Sequence, residues 1–442
     1  MLSFVGKFFA FLSLSQQTGT RIEQGAAAGV LAHLCEVIDE RLAIASSKVV
    51  QPCMEILQGG TPTGQLAASR VLKNLALTVE SRLKCMKEVE YVYDVLIKVV
   101  ANEKVEGAIR ENCATALQAF CATTSGEEGL EARLSLGKGG AIEACVKLLL
   151  DGPDAARVPA AGVLQYLAQV EELKPRFVTA GAIVPLIAVA GRETVDMWGR
   201  AYAAGALRWL SMTHDNMRPI PTDDVASSKG KGDGEDADAG EDDDDSEPTS
   251  TMAGMSLAEL APKARFRVLQ GAPMDAAQSS ALDELKTRID ALVTGDCAKV
   301  MCKLLMPPKD EDGVPIAKPA GKKKKAAPRE PDVETAHTHA TGVLRHLMLD
   351  PNGMQHVLDM NGVTHITPLL ESPNTQLRAN AHAILSLTTL EVPFVNAMKR
   401  AGAPEFYTNL LEVPMPKPAT PAADPLAFTR RPASSSGRAD IK

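Results

Sequence analysis

The sequence predicts an all-α fold in which short helical units stack into a right-handed α-solenoid. Three observations predict it: an apolar motif recurs along the chain, its copies are spaced at near-constant intervals, and only 4% of the 442 residues are aromatic. Low aromatic content with abundant alanine, leucine and valine disfavours an all-β sandwich or barrel. A single unit of this size cannot bury its apolar face alone, so neighbouring units must stack.

The motif consists of small residues, two apolar residues, two variable positions and a further apolar residue, as in Ala160–Leu167 and Ala203–Leu210. Its equivalent leucines, here called the registered leucines, are Leu31, Leu72, Leu117, Leu164, Leu207, Leu344 and Leu385. Their spacings are 41, 45, 47, 43, 137 and 41 residues. Five of the six spacings fall in the window of about 40–47 residues that stacked two- or three-helix units occupy. The long interval indicates one unit plus roughly 90 inserted residues.

Each unit is expected to contain a short first helix, a glycine, a second helix, a turn and a third helix. The glycines are Gly140, Gly181, Gly362 and Gly402, and each is predicted to adopt the positive φ that a side chain disfavours. Breakers mark the turns before the third helices, as in Gly59–Pro62 and Glu371–Asn374. Apolar residues at i, i+3 and i+4 give each third helix one buried stripe.

The Gly-Ala-Ile opening of the second helix, the third-helix motif and the period resemble armadillo repeats over residues 20–212 and 294–412. This resemblance implies an inner groove lined by the third helices. Many peptide-binding members carry asparagine two residues after the registered leucine, where this chain has His33, Asn74, Ala119, Tyr166, Trp209, His346 and Leu387. They carry tryptophan two residues before it, where this chain has Gly29, Arg70, Thr115, Gly162, Gly205, Gly342 and Ala383. Only Asn74 matches, which disfavours recognition of extended basic peptides.

The predicted groove combines basic and aromatic side chains, which are common at interface hot spots. The candidate partner-binding residues are Lys73, Asn74, Tyr166, Arg208, Trp209, Arg345 and His346, with Arg70 beside them. In an alternative interpretation, Tyr166 and Trp209 complete the core and the basic residues are merely solvated. Protein partners with acidic or extended segments suit the basic groove.

Two inserts divide the repeats. The net charge is −8, and ten acidic residues lie between Asp233 and Glu247, so the remainder sums to −8 + 10 = +2. The predicted segments are a capping helix or weak signal-like segment at 1–19, repeats at 20–212, a disordered acidic insert at 213–254, a helical continuation at 255–306, a basic linker at 307–332, repeats at 333–412 and a disordered tail at 413–442. One hypothesis is that the acidic insert folds over the basic groove and competes with an acidic partner.

No motif indicates catalysis, a cofactor or a metal. Gly230–Gly232 lacks the Gly-Lys-Ser/Thr ending of a phosphate-binding loop, and no Gly-x-Ser-x-Gly elbow is present. Cys297 and Cys302 have no second ligand pair, and the eight cysteines suit a reduced core in a cytosolic or nuclear protein. The acidic net charge disfavours nucleic acid, and no stretch has the length of a membrane span.

The sequence therefore predicts a non-catalytic scaffold or adaptor that presents the concave face of an armadillo-like superhelix to a protein partner. A nuclear transport or cargo carrier is an alternative, and a chaperone for a motor or cytoskeletal client is another. The expected location is cytoplasmic, and also nuclear if the lysine-rich segment from Lys318 to Arg329 is an import signal.

Overall fold

A computed structural model describes residues 20–88, 92–122, 127–212, 276–306, 331–389 and 391–408. Every regular element within these ranges is a helix. The predictions for residues 1–19, for the acidic insert at 213–254 and for the tail at 413–442 lie outside the described residues. The lysine-rich segment of the second insert lies outside them as well.

The helices fall into seven units, of which the first contributes a third helix alone. The first helices are α2 (Arg41–Ser46), α5 (Val79–Glu88), α8 (Glu127–Lys138), α11 (Lys174–Thr179), α14 (Ala276–Thr294) and α17 (Pro351–Asp359). The second helices are α3 (Val50–Gly59), α6 (Val92–Ala101), α9 (Ala141–Asp151), α12 (Ile183–Gly191), α15 (Cys297–Leu305) and α18 (Gly362–Ile366). The third helices are α1 (Arg21–Leu34), α4 (Pro62–Leu77), α7 (Gly107–Cys121), α10 (Asp154–Leu167), α13 (Met197–Leu210), α16 (Pro331–Leu347) and α19 (Thr375–Leu387).

Short elements complete the stack. The 3₁₀ turns Ile38–Glu40 and Glu171–Leu173 precede α2 and α11, and Thr367–Glu371 extends α18. After the seventh unit come α20 (Val392–Arg400) and α21 (Glu405–Thr408). The chain therefore keeps the predicted order of first, second and third helix in each of units 2 to 7.

The third helices form a continuous ladder, since each packs against the third helix of the next unit. All seven registered leucines are at most 2% exposed, so the predicted buried stripe is the spine of the core. Helix α13 packs directly on α16, with both inserts between them in sequence. The fold is an α-solenoid with one continuous hydrophobic core, which includes residues from before and after the inserts.

A residue with left-handed backbone conformation precedes most second helices. The prediction that this residue is a glycine with positive φ is wrong at one of the four predicted positions, Gly362. The predicted positive φ is present at Gly140, Gly181 and Gly402. In unit 7 the left-handed residue is Asn361, with φ of 55°, and Gly362 is the first residue of α18. Asparagine tolerates this conformation better than most residues. A Cβ on Gly362 would lie 2.8 Å from Cys302 Sγ, so close packing accounts for this glycine.

A second register, unseen in the sequence, ties five of the third helices to their own second helices. Seven residues before the registered leucine, a long side chain donates a hydrogen bond to a carbonyl near the end of the second helix. The pairs are Gln65 with Leu57, Arg110 with Val100, Arg157 with Leu149, Arg200 with Ala190 and Arg378 with Ser372. Helix ends leave such carbonyls unpaired, and a cation there also complements the helix dipole.

Two buried amides join neighbouring third helices. Asn112 Nδ2 donates to Ser69 Oγ at 3.0 Å, and Asn380 Nδ2 donates to Thr341 Oγ1 at 3.2 Å. Both donors lie five residues before a registered leucine, and both acceptors lie three residues before the preceding one. The same polar contact therefore holds units 2 and 3 together and units 6 and 7 together.

The variant Ser69→Ala is expected to lower the free energy of unfolding by about 1–2 kcal/mol, because the buried Asn112 amide loses its acceptor. Asn112→Ala is expected to have a similar effect. The double variant should lose less than the sum, since no unpaired amide remains. Urea denaturation of the four proteins measures the coupling, and strictly additive losses would contradict the contact.

Candidate functional site

The exposed side of the third helices is formed by positions just before and just after the registered leucines. We call these positions, two before, one after and two after each registered leucine, the third-helix face. They include all seven predicted site residues. Arg345 is exposed, and the other six are partly buried: Lys73, Asn74, Tyr166, Arg208, Trp209 and His346.

Three consecutive third helices have glycine on this face, and a side chain from the preceding unit lies over each glycine. Gln118 covers Gly162, Gln165 covers Gly205, and Arg208 covers Gly342. A Cβ on Gly342 would come within 2.7 Å of Arg208 Cδ, so these residues pack without room for a side chain. The covering residue is always the one after the registered leucine. At three of the seven places where peptide-binding armadillo proteins carry tryptophan, this chain thus has a glycine covered by its own polar side chain.

Gln165 reaches across unit 5 to unit 6. Its Nε2 lies 3.4 Å from His339 Nε2, although the two residues belong to α10 and α16. Gly205 on the intervening α13 leaves the space that this side chain crosses. Three successive third helices are therefore linked on the third-helix face through one glutamine.

Four basic or imidazole side chains gather where α13 meets α16. We call Arg208, Arg345, His339 and His346 the basic patch. His339, Gly342 and His346 follow the i, i+3, i+7 spacing of one helix face. Arg208 lies across Gly342, between the two imidazoles along α16. The spacing of His339 and His346 in the sequence is that of one helix face, but it gives no sign that Arg208 lies between them.

Burial and mutual repulsion determine the ionisation of the basic patch. Burial and the charge of Arg208 lower the pKa of His339 to about 4. Burial, followed by the charges of Arg345, Arg208 and Lys174, lowers the pKa of His346 to about 4. Burial and the charge of Arg345 lower the pKa of Arg208. Both imidazoles are therefore neutral at pH 7, whereas both arginines remain charged.

The arginines of the basic patch have no acidic partner in the part of the chain that the structure describes. The described ion pairs involve other residues, and the charged influences on the pKa values of this patch are all cationic. Most other arginines donate to backbone carbonyls or carboxylates, as Arg110 does to Val100 and Asp151. Arg208 and Arg345 thus differ from the arginines that hold the fold together.

The aromatic candidates pack against the core and keep part of their surface open. The Arg133 guanidinium lies 5.6 Å from the centre of the Tyr166 ring, an intramolecular cation–π contact. Trp209 lies beside Arg208 on α13. The same helix has a stacked pair that the sequence analysis missed: Trp198 and Tyr202, with ring centres 5.7 Å apart. Their i, i+4 spacing was the available signal.

The two candidates of unit 2 lie apart from the basic patch. Lys73 and Asn74 are on α4, and the third helices α7 and α10 separate them from α13. Asn74 Nδ2 donates a 3.4 Å bond to the Ala32 carbonyl, so its amide contacts the preceding third helix. The structure therefore brings Arg208, Arg345 and His346 together with His339, and it places Lys73 and Asn74 at a separate point of the same face.

Nothing in the described residues resembles a reactive centre. All eight cysteines are buried, and burial raises the pKa of Cys113 and of Cys121 to about 12, which keeps both as thiols. The described residues include no group of three or more His, Cys, Asp or Glu side chains that could hold a metal ion. No single described helix combines the length and apolar character needed to span a membrane; Glu171–Thr179 and Ile183–Gly191 do so only as a pair bent by 87°.

Several solved structures of designed proteins are similar to this chain in outline. An engineered protein shares 17% identity, with 89% of this chain and 82% of that chain covered, at a TM-score of 0.48. A designed armadillo repeat protein shares 14%, with 76% and 98% covered, at 0.45. Another, in complex with the peptide (KR)4, shares 13%, with 76% and 98% covered, at 0.43. No protein-family model and no curated protein matches the sequence.

The chain has an armadillo-like repeat fold. The three-helix units, the period between registered leucines and the ladder of third helices carry this assignment, because the similarity scores above are low. Three of the tryptophan departures coincide with the covered glycines, and in units 3 to 5 the asparagine departures lie directly after the covering side chains.

Proposed function

We propose that this chain is a non-catalytic scaffold that binds an extended acidic segment of a partner protein along its third-helix face. One observation carries the proposal: Arg208 and Arg345 lie together at the junction of α13 and α16 without an acidic partner among the described residues. The guanidinium of Arg208 is partly desolvated, and the nearby charge of the exposed Arg345 repels it. An acidic ligand relieves that repulsion, and the fold does not require these arginines for helix capping.

The neighbouring aromatic residues add contact area to the charged patch. Trp209 adjoins Arg208 in sequence, and the Trp198–Tyr202 stack lies on the same helix. Tryptophan, tyrosine and arginine are the residues that most often dominate binding free energy at protein interfaces. The Gln and Arg side chains over the glycines favour contacts with a partner's side chains rather than an asparagine ladder along its backbone.

The proposal is tested with a partner segment captured by affinity purification, identified by mass spectrometry and then remade as a purified peptide. Arg208→Glu is expected to weaken its binding to the full chain at least ten-fold, because attraction becomes repulsion. Trp209→Ala is expected to weaken it at all salt concentrations, whereas the effect of Arg208→Glu should shrink as salt rises. Fluorescence anisotropy at two salt concentrations measures both.

Arg21→Glu is the matched control. Arg21 is exposed at the start of α1, away from the third-helix face of units 4 to 6, and it undergoes the same change of charge. Its affinity for the peptide should stay within two-fold of the parent protein. Equal losses in Arg21→Glu and Arg208→Glu would show that total charge, not the basic patch, governs binding.

A further inference from the structure

The basic patch has donors in excess, because its only side-chain acceptors are one nitrogen of each neutral imidazole, and that of His339 already faces the Gln165 amide. Arginine only donates, and each guanidinium offers five N–H groups in a planar fork. The neutral imidazoles each provide one further donor. Among the described residues, neither Arg208 nor Arg345 has a carboxylate within ion-pair distance, so the patch lacks the acceptors that would satisfy it.

His339 indicates where the acceptor belongs. The Gln165 amide nitrogen, a donor, lies 3.4 Å from His339 Nε2, which places the imidazole proton on Nδ1. His339 Nδ1 is buried and has no hydrogen-bond partner among the described residues. A buried donor without an acceptor costs free energy, so an acceptor oxygen beside His339 Nδ1 would recover that free energy.

The charge and donor count match a dianion better than a carboxylate. A carboxylate brings one negative charge and two oxygens, which leaves one of the two arginines uncompensated. A phosphate monoester brings a charge near −2 at pH 7 and three terminal oxygens. Two guanidiniums can bind it bidentately while the imidazole donors reach a remaining oxygen. The neutral imidazoles add hydrogen bonds without adding repulsion to the arginine pair.

We propose that Arg208, Arg345, His339 and His346 form a binding site for a phosphate monoester on a phosphorylated side chain of the partner segment. The proposal rests on the proposed function, and it adds the chemical class of the group that is recognised. Gly342 is a positioning residue of the site, because its missing side chain allows Arg208 to lie across α16. Partner binding would thereby depend on phosphorylation of the partner.

The test uses the full chain and three pools of short peptides with degenerate flanks, whose central residue is phosphoserine, glutamate or serine. The phosphoserine pool is expected to bind at least ten-fold more tightly than the glutamate pool, and the serine pool weakest of all. Arg345→Gln, an exposed position, is expected to remove most of the phosphoserine advantage. Inorganic phosphate serves as a fourth probe, by competition.

Gly342→Ala provides a variant that removes no charge. Its Cβ would displace Arg208, so the phosphoserine advantage should fall several-fold. Gly162→Ala is the matched control, because it adds the same methyl group beneath the uncharged Gln118. It should leave the phosphoserine advantage unchanged, and thermal melting should show both variants folded.

Two results would overturn the inference: equal binding of the phosphoserine and glutamate pools, or a phosphoserine advantage that survives both Arg345→Gln and Gly342→Ala. Inorganic phosphate that binds as tightly as the phosphoserine pool would also overturn it, in favour of a site for the free anion. The two proposals can fail separately. If the glutamate pool binds and its binding depends on Arg208 without a preference for phosphoserine, the proposed scaffold function is supported and only the phosphate site is contradicted.

Discussion

Arg288→Ala is expected to lower the free energy of unfolding by about 3 kcal/mol, the largest effect of a single substitution proposed for this chain. Arg288 is 1% exposed, and its Nε donates to the Leu210 carbonyl at 2.9 Å. Its Nη2 lies 3.8 Å from Glu171 Oε1. Truncation leaves a cavity, opens the end of α13 and removes a cation from beside Glu171.

The reason for this large effect is the place of Arg288 in the chain. Helix α14 follows the first insert, and Arg288 is the side chain through which it closes the end of α13. Arg41, Arg82 and Arg133 make the equivalent bond in units 2 to 4, each to a carbonyl at the end of the preceding third helix. Only at Arg288 does the bond join segments on either side of an insert.

Arg288→Met separates packing from hydrogen bonding. Methionine fills most of the volume and also removes Arg288 Nη2, a buried donor that has no hydrogen-bond partner among the described residues. We expect its loss of stability to be about half that of Arg288→Ala. Urea denaturation measures both variants, and hydrogen exchange should show the loss concentrated in α13 and α14. A change below about 0.5 kcal/mol in Arg288→Ala would contradict this account.

Acidification from pH 7 to pH 5 is expected to lower the free energy of unfolding by about 4 kcal/mol through His339 and His346 together. Each imidazole has a pKa of about 4 in the folded chain against an ordinary value of 6.5. Their stabilisation is complete above pH 6.5. It is lost as pH falls towards 4, because the unfolded chain binds protons that the folded chain does not.

The window between pH 7 and pH 5 isolates these histidines from the carboxylates. The lowered pKa values of Glu23, Glu103, Asp154 and Asp296 cost stability only below about pH 4.5. The double variant His339→Gln, His346→Gln should flatten the curve of urea midpoint against pH between 7 and 5. A curve as steep as that of the parent protein would assign the effect to other groups, such as His365, whose pKa is also lowered by burial.

The sequence predicted the spine of this fold because its signal is repeated. Each registered leucine is buried between its own third helix and its neighbours, so seven weak local patterns recur at one interval and reinforce the same prediction. The arginines seven residues before the registered leucines repeat in the same way at 110, 157, 200 and 378. This repeat of arginines could have been found in the sequence, but their bonding partners could not, because the acceptors are backbone carbonyls, which every residue has.

The candidate site was less predictable, because it depends on which side chain fills the space beside each glycine. Arg208 and Trp209 lie on the third-helix face because they directly follow Leu207. That Arg208 crosses to α16 follows from the absence of a side chain at Gly342, a property of the next unit. Asn361 taking the positive φ expected of Gly362 has a similar origin, since two residues in that turn could each adopt it.

At each contact between a covered glycine and the preceding third helix, one side chain, the one that covers the glycine, determines the local charge. Gln118, Gln165 and Arg208 occupy equivalent positions, yet two junctions are neutral and one is cationic. If the third-helix face binds a partner as proposed, substitutions at these three positions change the charge that the partner meets and leave the leucine spine intact. The residues proposed to bind and the residues that form the core are separate, so the former can change without loss of the fold.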